Sequence, residues 1–106
     1  MIITTTPNIS GQEITNYLGV VTGETIFAIN AVRDFFASIR DIVGGRTNSY
    51  EEVLTKARTE ALNEMQHRAE ALGADAIVGV HISYESLGGN ATMLMVCCTG
   101  TAVKLA

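Results

Sequence analysis

The stretch SYEEVLTKARTEALNEMQHRAEAL, residues 49–72, decides how the rest of the chain is read. Tyr50, Val53, Leu54, Ala57, Ala61, Met65, Ala69 and Leu72 recur at three- and four-residue spacing, which lines them along one side of an α-helix. Ser49 followed by Glu52 fits a capping box, in which each side chain takes up the other's backbone N–H. Asn48 with Glu51 serves equally well. Glu52 with Lys56 and Glu64 with Arg68 are i,i+4 pairs in the favourable order. Gly73, which tolerates positive φ, stops the helix. A helix with a single apolar stripe needs a surface to lie on, and the flanking sequence offers strands.

Downstream, Ala74 to Glu85 and Ala91 to Lys104 read as two strands. Ser86-Leu87-Gly88-Gly89-Asn90 is a turn-like connection, so the pair is an expected antiparallel hairpin. Upstream, Ile2 to Thr5 is a short β-branched run stopped by Pro7, and Gln12 to Thr22 alternates loosely as a strand that Gly23 ends. Ile26 to Val43 reads as a further helix, with Ile29, Val32, Phe36, Ile39 and Val43 at helical spacing and Gly44-Gly45 as its stop. Phe27, Ala28, Ala31, Phe35 and Ala37 fill much of its remaining surface, so it needs cover on more than one side. The expected fold is α+β: an antiparallel sheet with two helices on one face, in the order β-β-α-α-β-β, as one domain over residues 1–106.

Apolar residues make up 47% of the 106 and charged residues 17%, against about 25% charged in ordinary soluble domains. A small domain short of charge leaves apolar surface uncovered, and the common remedy is burial against copies of itself. The net charge of −4 and the absence of a basic stripe argue against a nucleic-acid partner. The longest uncharged stretch, Ser86 to Val103, is broken by Gly88, Gly89, Asn90, Thr92 and Gly100, and reads as turn plus strand rather than a membrane span. Met1-Ile2-Ile3-Thr4 has neither a basic nor a long apolar region, so no signal peptide is expected. Cys97 and Cys98 are adjacent and point to opposite faces of a strand, so they form no disulfide framework. A cytoplasmic, reducing location follows as the expectation.

Arg33-Asp34-Phe35-Phe36-Ala37-Ser38-Ile39-Arg40-Asp41-Ile42-Val43-Gly44-Gly45-Arg46 resembles the signature of the YbjQ-like family. Gly19 to Glu24, Tyr50-Glu51, Gly73 to Val80 and Gly100-Thr101-Ala102-Val103 resemble it too, in the right order along essentially the whole chain. The resemblance implies a sheet-plus-helix subunit related to dodecin-like folds, assembled as a ring of five. It implies little about activity: the members are mostly uncharacterised and often labelled "putative heavy-metal-binding". Where this chain has Cys97 and Cys98, the family commonly has small residues such as Ser or Ala.

Two constellations could carry chemistry. Arg33 and Arg40 share one helix face, Asp34 and Asp41 lie one step round, and Arg46 precedes the next helix after a double Gly. A helix N-terminus with nearby Arg can hold an anion, but balanced Arg and Asp equally suit pairing within or between subunits. The second constellation is on the hairpin. If Val78, Val80 and Ile82 share the core face with Leu94, Val96 and Ala102, then Ile77, His81, Ser83 and Glu85 lie on the other face with Met93, Met95, Cys97 and Thr99. His81, Met95 and Cys97 then become candidate ligands for a soft metal ion, the one cofactor the sequence suggests, although their spacing matches no structural zinc pattern. His67 lies on the polar side of its helix near Glu64 and Glu60, and reads as solvated. No nucleophile–base motif is present. The expected function is a non-enzymatic homo-oligomeric module binding a small ligand or metal ion at subunit junctions. The alternatives are a structural or interaction protein without ligand, or an enzyme whose site is shared between subunits.

Overall fold

A computed structural model describes residues 1–28, 48–87 and 93–106. Its elements are β1 (Ile2–Ile3), β2 (Ile14–Ala28), α1 (Asn48–Ala71), β3 (Ala76–Leu87) and β4 (Met93–Leu105). The strands form one sheet in the order β1-β3-β4-β2. β4 pairs antiparallel with both β3 and β2, while β1 pairs parallel with β3 through Ile2↔Ala76 and Ile3↔Ile77. α1 lies on one face, chiefly over β2 and β4.

This corrects the expected antiparallel sheet with two helices on one face in the order β-β-α-α-β-β. The described residues give a mixed four-stranded sheet and one helix. The error begins at Gly23, read as a strand terminator. β2 runs through it to Ala28, so Ile26, Phe27 and Ala28 belong to a strand and not to the start of a helix. The remainder of the expected first helix, with Phe35, Phe36, Arg33, Asp34, Arg40, Asp41, Gly44, Gly45 and Arg46, lies outside the described residues, as does most of the expected hairpin connection.

Gly23 stands mid-strand because the helix backbone comes down on it. A Cβ there would lie 1.9 Å from the Ala61 carbonyl oxygen and 2.8 Å from the Met65 nitrogen, so only glycine fits. The helix matches this with Ala57, Ala61, Met65 and Ala69, four residues apart and fully buried. From the sheet they meet Val21, Ile77, Val80, Val96, Cys98 and Ala102. Leu72, assigned to the same stripe, is 50% exposed beyond the last turn. Gly73 ends α1 at φ 80°. Its N–H donates to the Glu70 carbonyl at 2.9 Å and the Ala74 N–H to the Ala69 carbonyl at 3.1 Å, the paired bonds of a Schellman motif. The expected Glu64–Arg68 ion pair forms, and Arg68 Nη1 also donates to the Thr22 carbonyl on β2 at 2.8 Å.

β3 contains a bulge that resets its alternation. The register slips between Val78 and His81, with Gly79 at φ 62° and the extra residue opposite Gly100 of β4. The amides exposed by the bulge are taken up by the N-terminal segment: Gly79 N–H donates to the Thr6 carbonyl at 2.9 Å and Val80 N–H to the Thr4 carbonyl at 3.1 Å. The assumed facing of Ile77 and Val78 is therefore reversed. Ile77 is fully buried on the helix side, while Val78 joins Ala76 and Val103 on the far side, partly covered by Ile9, Ile14 and Leu105.

The C-terminal end of the sheet is held by Asp75. Its carboxylate accepts the Leu105 N–H at 2.9 Å and lies 3.5 Å from Lys104 Nζ. Chiefly the Leu105 bond, helped by the Lys104 charge and opposed by partial desolvation, holds the carboxyl below its ordinary 3.8. A carboxyl whose folded-state pKa is depressed contributes stability above its unfolded pKa and loses it as pH falls through the folded one. Asp75→Asn should therefore lower the urea midpoint at neutral pH. The gap to wild type should close as pH drops below 3.8, read by unfolding curves across that range.

Candidate functional site

The sheet face turned away from α1 carries the chemistry-bearing side chains of the hairpin. Past the bulge, β3 presents His81, Ser83 and Glu85 on this face, and β4 presents Met93, Met95, Cys97 and Thr99. β2 adds Thr22, Glu24 and Ile26. The register arranges them in rows across three strands: Thr22, Thr99 and His81; Glu24, Cys97 and Ser83; Ile26, Met95 and Glu85. Directly opposed residues have Cβ atoms about 5 Å apart and diagonal ones about 7–8 Å. Cys97 is therefore flanked at close range by Glu24 and Ser83, with His81 one diagonal step away. Met95 follows two residues before Cys97 on the same strand.

His81, Met95 and Cys97 thus share one face, but no two of them are directly opposed. Glu24 was missed as a neighbour of Cys97 because the strand was ended at Gly23, one residue short of it. The continued alternation Thr22, Glu24, Ile26 was the signal that could have placed it. His81 is exposed and Cys97 intermediate. Cys98 points the other way, into the core under α1, where burial chiefly pushes its thiol pKa up. Both cysteines are free. His67 stands on the solvent side of α1, its side chain 82% exposed and its Nδ1 4.0 Å from a Glu70 carboxylate oxygen. Among the described residues no group of three His, Cys, Asp or Glu side chains is gathered closely enough to hold a metal ion. Glu51, Glu52, Thr55 and Lys56 line an open hollow on the first turns of α1.

A family model named YbjQ_1 and described as "Putative heavy-metal-binding" matches residues 1–106. The chain belongs to the YbjQ family. A crystal structure from Pediococcus pentosaceus, described as a protein with unknown function of the DUF74 family, superposes with a TM-score of 0.59 at 20% identity, covering 100% of this chain and 98% of that one. At that identity the likeness is one of fold. No helix among the described residues of the YbjQ chain is long and apolar enough to cross a membrane.

Proposed function

We propose that the chain is a non-enzymatic subunit of a homo-oligomer that takes up a small ligand or metal ion where copies meet. The observation that carries this reading is the face turned away from α1. On β2, the outer strand of the described sheet, Val20 is 76% exposed and Ile26 54% exposed, with Tyr17 at 70%. Large β-branched side chains held in water along an outer strand mark a contact surface. Only Glu24 interrupts them with charge on that strand's face, and the whole chain is only 17% charged. A second copy supplies cover of matching composition. The subunit number of five rests on the family resemblance. The free thiols fit a reducing compartment such as the cytoplasm, and the acidic balance fits neither a nucleic-acid partner nor a membrane one.

The test is sedimentation. Wild type at micromolar concentration should run at several times 11.3 kDa, and Val20→Asp with Ile26→Asp should run as a folded monomer, because an unpaired charge buried in a contact costs more than the contact gains. A stable wild-type monomer overturns the reading. Elemental analysis and a native mass spectrum of freshly purified oligomer then read the ligand. A bare protein mass favours the second reading, a structural or interaction protein without ligand.

A further inference from the structure

Soft metal ions select thiolate and imidazole, and the whole chain has two Cys and two His to offer. All four are among the described residues, and they occupy three separate surfaces. His67 is on the solvent side of α1, Cys98 is fully buried between helix and sheet, and Cys97 and His81 are on the far face. Zinc–sulfur and zinc–nitrogen bonds of about 2.0–2.3 Å require the ligand atoms of one site to lie within about 4 Å of each other. The sheet stands between His67 and the far face, and Cys98 has its back to Cys97. One copy can therefore bring at most Cys97 and His81 together, and these are diagonal rather than opposed.

We infer that this chain has no thiolate–imidazole metal centre, so the heavy-metal description of its family does not reach it through its cysteines and histidines. A second copy could complete a Cys97–His81 pair most simply by meeting it with the same face about a twofold axis. A closed assembly of five joins unlike patches instead. In this one respect the inference rests on the assembly proposed above. A thiolate ligand must also lose its proton. Cys98 belongs to the apolar core cluster with Val96, Ala102 and Met65, where desolvation chiefly, with the neighbouring Cys97, raises its thiol pKa against the smaller opposing pull of Arg58.

The experiment is isothermal titration of the assembled wild type, Cys97→Ser and His81→Ala with zinc and with Cu(I), with sedimentation of the same samples. Loss of a real ligand lowers affinity at least about tenfold. The expected result is either no tight stoichiometric isotherm, or binding that both variants retain within that factor. One ion per copy, or per two copies, that is lost tenfold or more in Cys97→Ser or His81→Ala overturns the inference. The sedimentation arm keeps its failure apart from failure of the assembly: metal bound through Cys97 by an intact five-copy species sinks this inference alone, whereas a wild-type monomer sinks the assembly whatever the isotherm shows.

Discussion

Gly23→Ala should be the most damaging single-methyl change in the described structure, lowering stability by at least about 3 kcal/mol, at or beyond the upper end of ordinary overpacking. The added Cβ would meet the Ala61 carbonyl oxygen at 1.9 Å and the Met65 nitrogen at 2.8 Å. Both are helix backbone atoms, so no rotamer change relieves the clash. α1 has to lift off the strand as a body, and the Ala57, Ala61, Met65 and Ala69 row loses its seat. A domain stable by roughly 5–15 kcal/mol has little room for such a loss. Gly73→Ala provides the comparison. Its site is open, with nothing within 4 Å, but its φ is 80°, so it should cost only the left-handed strain of about 1–2 kcal/mol. Urea midpoints of the two variants should differ in that order. Equal midpoints would mean that the helix does not bear on Gly23.

Met65→Ala is expected to cost about 2–5 kcal/mol, the range for truncating a large buried side chain to leave a cavity. Met65 is the largest fully buried side chain among those described, and it belongs to the core cluster that holds Val21, Ile77, Val96 and Cys98. The small residues beside it on the helix, Ala61 and Ala69, cannot lean in to close the gap. Leu72→Ala removes three carbons from the same predicted stripe. There the side chain is 50% exposed, and the change should stay within about 1 kcal/mol. Chemical denaturation of both variants reads the difference, and a Met65→Ala midpoint no lower than that of Leu72→Ala would refute the packing described.

These two residues also show what the sequence could and could not tell. Met65 was legible: its stripe from Val53 to Ala69 has one period, and the helix it predicts, 49–72, differs from the observed one by a residue at each end. Gly23 was legible only as a glycine. In isolation it signals a stop, and the reason for it lies in Ala61, which is distant in sequence and adjacent only once the helix has docked. The bulge at Gly79 had the same character. Strict alternation from Val78 put Ile77 on the wrong face, whereas His81, Ser83 and Glu85 were placed correctly because they follow the slip. The parallel pairing of Ile2 and Ile3 with β3 left no local trace, since two residues carry no pattern. For the candidate site, the face shared by His81, Met95 and Cys97 was readable from period two. Its neighbour Glu24 was hidden by the same misread glycine.

The pairing of β2 with β4 sets an order of events during synthesis. Ile14 waits for Leu105 and Ala28 for Met93. At about 5–20 residues per second, β2 leaves the ribosome several seconds before the strand that will hold it exists. Through that interval the nascent chain displays Val20, Val21, Ile26 and Phe27 in a segment of high β-propensity, with α1 complete but lacking the sheet on which to lie. Contacts between residues so far apart in sequence also close slowly once both partners are present. Neighbouring nascent chains on one message would carry the same waiting strand, so the interval before β4 emerges is the one in which an unpaired β2 is open to pairing with another copy.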